Sequence, residues 1–210
     1  MDASANNPIP HSVGILIFDD VEVLDFCGPF EVFSVAARLT TSDQHPEQPA
    51  FHVFTVAEHD CTIVARGNLL IQPHFTIETA PVIDLLIVPG GWGTRREVTN
   101  DALIGWIASV AQHTAITASV CTGAFLLAQA GLLADKAATT HWASLDRFAK
   151  DFPAVRVQRE TRWVDEGKII TSAGISAGID MSLHIVACIL GREHAVATAR
   201  QMEYTWVDTP

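Results

Sequence analysis

Cys121 stands in the stretch Ser119-Val120-Cys121-Thr122-Gly123, where a β-branched run gives way to a helical pattern. A sharp strand-to-helix turn lifts the residue at its apex into the open and sets it beside the unpaired N–H groups of the helix start. Those groups and the helix dipole favour a thiolate, so the placement points to nucleophilic chemistry with a lowered thiol pKa. Gly123 suits such a turn because it lets helix and neighbouring strand approach closely. Three other stretches carry groups that complement a thiol. Asp25 lies in Leu24-Asp25-Phe26-Cys27-Gly28-Pro29, between apolar neighbours. A carboxyl near a thiol in a dry pocket is held toward its neutral form and can shuttle a proton, although Asp there also suits a plain helix N-cap. Gly90 and Gly91, in Pro89-Gly90-Gly91-Trp92-Gly93, offer backbone N–H groups to a developing oxyanion, or simply make a tight turn. His141, in Thr139-Thr140-His141-Trp142, could serve as base or orienter of a Cys–His pair, and eight other histidines dilute that signal.

The elements around these stretches explain how they could meet. Val13–Phe18 and Asp84–Val88 are continuous apolar runs, as expected of strands buried on both faces of a parallel sheet. Phe51–Ala57 alternates and is rich in β-branched and aromatic residues, and Thr114–Val120 adds a fourth strand. Pro29 is expected at the first turn of a helix that runs to Leu39. Further helices are expected over 102–112, from Thr122 to a stop at Gly131, over 143–150, and as a final pair across the last third of the chain. A polar, proline-bearing loop covers 40–49. Cys61–Ile77 reads as two short strands around Gly67-Asn68, and residues 155–174 as a strand pair turning at Glu166-Gly167. Strands alternating with helices predict a doubly wound α/β fold, a mostly parallel sheet with helices on both faces. The expected organisation is a flexible tail over residues 1–12 and one domain over 13–210. In such sheets ligands collect outside the carboxyl ends of the strands, where the Asp25, Gly90-Gly91 and Cys121 stretches all fall.

Composition narrows the chemistry by exclusion. The chain has 210 residues, is 49% hydrophobic and 18% charged, and carries a formal net charge of −11. It can bury a sizeable core, and its acidity with no Lys/Arg run argues against nucleic acid as a partner. Neither a signal peptide nor an apolar run long enough to span a bilayer is read, so no membrane partner is expected. Cys27, Cys61, Cys121 and Cys188 form no CxxC pair and read as reduced, cytoplasmic thiols, with Cys61 and Cys188 as buried small hydrophobes. No HExxH, His/Cys zinc spacing, Walker loop or GxGxxG is read, so no metal and no nucleotide cofactor is expected.

Taken in order, Leu24-Asp25-x-x-Gly28-Pro29, Pro89-Gly90-Gly91-x-Gly93, Ser119-Val120-Cys121-Thr122-Gly123 and Thr139-Thr140-His141-Trp142 resemble the ThiJ/PfpI superfamily, with its flavodoxin-like, class I glutamine-amidotransferase-like fold. The resemblance covers nearly the whole chain and looks most like the isonitrile hydratase branch, and also like the ligand-binding half of AraC-type regulators. It implies a cofactor-free enzyme with Cys121 as nucleophile and Asp25 as the carboxyl that positions or protonates. It also implies that Thr122 binds substrate or water, and that the N–H groups of Thr122 and Gly91 form an oxyanion hole. The reaction implied is addition of water to a small-molecule isonitrile, giving an N-substituted formamide through a thioimidate on Cys121. His141 aligns with a histidine near the nucleophile in other branches. Cys27 departs from the pattern, standing where a small hydroxyl residue is expected, and could line the same pocket or form a redox pair with Cys121. Two rival classes stay open: another cysteine enzyme of the superfamily (glyoxalase, deglycase or hydrolase), and a redox- or ligand-sensing module. A stand-alone DNA-binding regulator is not expected, since the chain ends without room for a helix-turn-helix domain. A homodimer is implied by the resemblance.

Overall fold

The computed structural model describes residues 11–41 and 49–210. The first strand, β1 (His11–Leu16), is followed by α1 (Val23–Thr40), β2 (Phe51–Ala57), β3 (Ile63–Val64), β4 (Leu70–Ile71), β5 (Phe75–Thr76) and β6 (Leu85–Val88). Then come α2 (Thr94–Glu97), α3 (Asp101–His113), β7 (Ile116–Val120), α4 (Gly123–Gln129), β8 (Ala137–Ala138), α5 (Leu145–Asp151) and β9 (Arg156–Val157). The chain closes with β10 (Trp163–Asp165), β11 (Ile169–Ser172), α6 (Ala177–Leu190) and α7 (Arg192–Gln201). No helix among the described residues is long and apolar enough to cross a membrane.

Seven strands form the central sheet in the order β10-β11-β7-β6-β1-β2-β5. Every pairing is parallel except β10 with β11, which form the expected hairpin around Glu166-Gly167. From β1 the chain first winds outward through β2 to β5, then returns to β6 and winds the other way through β7 to β11. Right-handed crossovers of opposite direction put helices on opposite faces. Accordingly α1, α6 and α7 pack on one another, while α2 and α3 pack on α4. The runs Ile15–Ile17, Leu85–Val88 and Leu126–Leu127 are fully buried. Each such Ile or Leu contributes about 1.5–3 kcal/mol of apolar transfer. The winding reverses between β1 and β6, and a crevice opens where the two flanking connections leave the sheet in different directions.

Several boundaries differ from expectation for identifiable reasons. Strand β1 begins at His11, because His11 and Ser12 pair with Phe51 and His52 of β2. Residues 11 and 12 are therefore sheet and not tail, while residues 1–10 and most of the polar loop, 42–48, lie outside the described residues. Helix α1 starts at Val23, so Pro29 lies in its interior and not at its first turn. An interior proline removes one ladder bond and normally costs about 3 kcal/mol. Here the preceding turn is held from outside, because Asp25 is pinned by backbone N–H groups of two distant loops. The edge strand β5 is only two residues long, too short for its period to be read. Strand β9 joins β8 in a separate two-stranded sheet.

Candidate active site

The loops leaving β1, β6, β7 and β11 converge at one end of the sheet. Cys121 sits at the β7–α4 turn with φ +58°, the left-handed region that a side chain adopts only when its surroundings enforce it. Those surroundings can be named. The Cys121 N–H donates to the carbonyls of Ser172 and Ala173, both at 3.1 Å, and the Thr140 hydroxyl donates to the Cys121 carbonyl at 2.7 Å. A Cβ at position 123 would collide with the Val88 carbonyl oxygen, so only glycine lets α4 start this close to β6. The expected elbow is present, and Gly123 has the expected reason.

Asp25 is fully buried in the first turn of α1. Its Oδ2 accepts from the Gly90 N–H at 3.1 Å and its Oδ1 from the Ile175 N–H at 3.2 Å. It does not cap its own helix, whose N-cap is Glu22. The Cys121 thiol adjoins the carboxyl and, as a donor, favours its charged form. Burial, reinforced by the charge of nearby Glu22, raises the Asp25 pKa from 3.8 to about 7, against the pull of these donors. The expectation of a carboxyl held toward its neutral form beside the thiol is therefore met. The lowered thiol pKa is not. Cys121 is only 7% exposed, and desolvation together with the adjoining Asp25 charge pushes its thiol well above the ordinary value. The Thr122 N–H faces the sulfur and pulls the other way, but one backbone dipole does not offset a buried like charge. The pair thus rests as a neutral thiol beside a carboxyl group that titrates near neutrality.

The two glycines have a different task from the one read in the sequence. The Gly90 N–H is spent on Asp25, and the Gly91 N–H donates to Thr122 Oγ1 at 3.0 Å. Thr122 Oγ1 donates in turn to the Gly91 carbonyl at 3.2 Å and accepts from Thr94 Oγ1 at 3.1 Å. Gly91 itself has φ +129° and runs against the backbone of Asp20 and Glu22. The turn after β6 thus locks the β1 loop and the elbow together and holds the acid, and the Thr122 hydroxyl is committed to that lock. Of the expected oxyanion hole, the Thr122 N–H alone faces the sulfur.

A cleft of about 270 Å³ opens over Cys121. Gly91, Thr122, His141 and Ile175 line it, with Trp92, Arg66 and Arg95 among the other walls. Trp92 is 58% exposed, and the Arg95 guanidinium lies 3.7 Å above its ring. Trp92 lines the cleft, whereas Phe26 is buried in the core and Trp142 lies outside the cleft. His141 is in the cleft as expected, with its Nδ1 accepting from the Ala143 N–H at 3.3 Å. Cys27 is not. Two residues along a helix is about 200° of rotation, so with Asp25 aimed inward Cys27 turns away and packs half-buried against the core. Cys27 therefore does not share the cleft with Cys121. Cys61 and Cys188 are exposed rather than buried fillers. A roomier cleft of about 440 Å³ lies along β1 and α3, but its polar groups are tied to one another, Arg96 to Glu97 and the Asn100 amide to both Glu58 and Glu97.

Two functional residues went unread. Thr140 clamps the strained elbow, yet in the sequence it is one more threonine of a short strand. Ile175 has φ +57°, an outlier for a β-branched residue, and this conformation aims its N–H at Asp25. No sequence signal announces an isoleucine in that region of backbone space.

Comparison with known proteins agrees with this geometry. The DJ-1/PfpI family model matches residues 11–188. Isonitrile hydratase of Pseudomonas putida is 33% identical over 192 residues, covering 91% of this chain and 78% of that protein. The HTH-type transcriptional regulator CdhR of Pseudomonas aeruginosa is 30% identical over 89% of this chain, and the match covers 53% of the regulator. The chain thus spans about half the length of such regulators. Among solved structures, a ThiJ/PfpI family protein from Pseudomonas syringae superposes with a TM-score of 0.81 at 27% identity, over 93% of this chain and 75% of that one. Drosophila melanogaster DJ-1beta shares the fold, with a TM-score of 0.79 at 16% identity over 94% of this chain and 100% of that one.

Proposed function

The chain belongs to the DJ-1/PfpI family, and from that footing we propose that it is a hydratase adding water to isonitriles, with Cys121 as nucleophile and Asp25 as proton shuttle. The observation that carries the reading is the buried Asp25 carboxyl, held by two backbone N–H groups with its pKa raised to about 7, adjoining the thiol of a cysteine in a strained elbow. A raised thiol pKa means that no free thiolate waits for substrate. Proton transfer to Asp25 and attack by sulfur proceed together.

The terminal carbon of R–N≡C is electron-poor and soft, which suits sulfur. As the C–S bond forms, Asp25 takes the thiol proton and then delivers it to the same carbon, leaving the thioimidate R–N=CH–S–Cys121. Water adds across the C=N bond, hydroxyl to carbon and hydrogen to nitrogen. The C–S bond then breaks, the hydroxyl proton returns to sulfur through Asp25, and R–NH–CHO leaves. Water in, formamide out, and the thiol is restored. The half-exposed Trp92 and Ile175 offer apolar surface to the R group.

The test is incubation of the purified protein with alkyl isonitriles, formamide being read by NMR and the Cys121 adduct by mass spectrometry. Absence of formamide across a range of alkyl chains would sink the reading. Conversion of α-oxoaldehydes instead would move the protein to another cysteine chemistry of the family. Similarity to the regulators favours a second reading, a ligand-sensing domain that binds without turnover. A redox sensor is less well supported, because such sensors use exposed, low-pKa thiolates and Cys121 is buried with a raised pKa.

A further inference from the structure

A second cluster of chemically capable side chains lies away from the cleft, on the outer flank of the sheet. Asp165 ends the edge strand β10, and His184 and Cys188 stand four residues apart on α6. That spacing places both on one helix face. His184 Nε2 lies 2.7 Å from Asp165 Oδ2 and 3.7 Å from Cys188 Sγ. The three donor atoms all lie within 4.8 Å of one another. We propose that Asp165, His184 and Cys188 form a binding site for a borderline-soft divalent transition ion, zinc before others.

Donor chemistry selects the ion. One sulfur, one imidazole nitrogen and one carboxylate oxygen suit zinc and its neighbours, whereas magnesium and calcium take oxygen-only sets. Thiolate and carboxylate together neutralise a divalent charge, and the imidazole binds as the neutral ring. Zinc–ligand distances of about 2.0–2.3 Å put tetrahedral ligands about 3.3–3.6 Å apart. The His–Cys separation already fits that frame. The His–Asp contact must lengthen by roughly half an ångström to match it, a small shift for a carboxylate at a strand end. The orientation of the groups is also supported from outside. Asp165 Oδ1 accepts from the Gly167 N–H at 2.7 Å, which leaves Oδ2 to face the ion. The His184 ring lies beside the buried Trp163 ring, centroids 5.6 Å apart, which restricts its rotation. Neighbouring groups that hold a ligand in place in this way raise metal affinity.

Three protein ligands leave the fourth position open to water. The placement indicates what the ion does. Arg162 at the start of β10 already holds Asp180 near the start of α6, through an Nε–H to Oδ2 hydrogen bond of 2.7 Å. The Asp165–His184–Cys188 site lies at the other end of the same strand. A bound ion there fastens the edge strand to α6 at its second end, and α6 follows directly on the Ile175 loop that holds Asp25.

Cobalt(II) titration of the metal-free full chain tests the site, since cobalt reports both tetrahedral geometry and thiolate ligation by its absorption. The expected result is one equivalent of cobalt with a sulfur-to-metal band, displaced by zinc and retained in Cys121→Ser and Cys61→Ser. Cys188→Ser removes the band, and His184→Ala and Asp165→Ala each weaken binding at least tenfold with unchanged circular dichroism. Zinc also protects Cys188 from alkylation in the otherwise unaltered chain, a readout that needs no variant. No band in the unaltered chain overturns the proposal. So does a band that survives Cys188→Ser, or one whose affinity ignores His184 and Asp165, which would mean a lone thiol.

Discussion

Among the described residues a thiol meets a carboxyl group at two sites, and the two meetings have little in common. Cys121 and Asp25 come from different connections of the sheet, lie almost wholly out of solvent, and adjoin each other inside a shell of backbone donors. Cys188 and Asp165 are exposed, with a histidine between them, on regular helix and strand. In the first place dehydration makes each negative charge expensive, so the two groups are left to trade a proton. In the second, water screens the charges and all three groups are free to give lone pairs to a cation. The side chains are common to both. Burial and backbone strain decide which becomes chemistry.

The comparison is broken most completely at the sulfur. Cys121→Ala is expected to lower isonitrile turnover by roughly 10⁴-fold or more, the scale seen when a covalent nucleophile is removed. Cys61→Ser, in an exposed loop, leaves the rate unchanged. Steady-state formamide production checks both, and comparable loss in the two variants would remove Cys121 from its role.

Asp25→Asn comes next, with an expected loss of 10²–10⁴ in kcat, the usual range for a general acid–base group. Its signature is the pH profile. Only ionised Asp25 can accept the thiol proton, so kcat/KM should rise through pH about 7, and that limb should vanish in the variant. The stability consequence has the opposite sense. Because the folded pKa is raised from 3.8 to about 7, the native state holds a proton that the unfolded chain releases. The stabilisation is complete below pH 3.8 and is lost as pH rises through 7. At ~1.4 kcal/mol per pH unit the whole swing is on the order of 4 kcal/mol. Urea unfolding of the wild type relative to Asp25→Asn across pH 4–8 reads it directly, and parallel curves would mean that Asp25 is not the buried acid.

Thr140→Val is a smaller perturbation. It removes the donor to the Cys121 carbonyl and leaves that oxygen with only a weak 3.5 Å contact from the Ala124 N–H. An acceptor stripped this way costs about 1–3 kcal/mol. The elbow relaxes, kcat falls about tenfold, and KM moves little. Rescue by Thr140→Ser separates loss of the hydrogen bond from loss of packing.

These contrasts show which parts of the molecule the sequence could disclose. Strand ends were legible because the apolar or β-branched runs stop at Phe18, Val88 and Val120, and the parallel topology gathers such ends with the Asp25, Gly90 and Cys121 stretches just beyond them. Gly123 was legible as a close-approach residue for the same reason. The Cys121 pKa was not, because the helix N-terminus is written in the sequence while the burial that outweighs it is a property of the assembled fold. Pro29 misled for a related reason, since a tertiary hold on Asp25 outweighed a local rule. The Asp165 cluster escaped because His184 and Cys188 acquire their third member only when β10 lies beside α6.

The smallest expected effect lies at the second cluster and sharpens the contrast from below. In metal-free protein, Asp165→Asn loses the contact to His184, whose side chain is 25% exposed while that of Asp165 is 33% exposed. Groups this wet gain little from pairing, and surface pairs of the kind contribute about 0–1 kcal/mol. Urea unfolding in chelator should therefore place Asp165→Asn within about 1 kcal/mol of wild type, against the several expected for the Asp25 titration. Added zinc should then separate the two proteins, because a ligand that binds only the folded state stabilises the one that holds it. A large cost in chelator would mean that the cluster is already a structural ion pair, fastened without any metal, and the distinction between the buried and the exposed thiol–carboxyl sites would lose its physical basis.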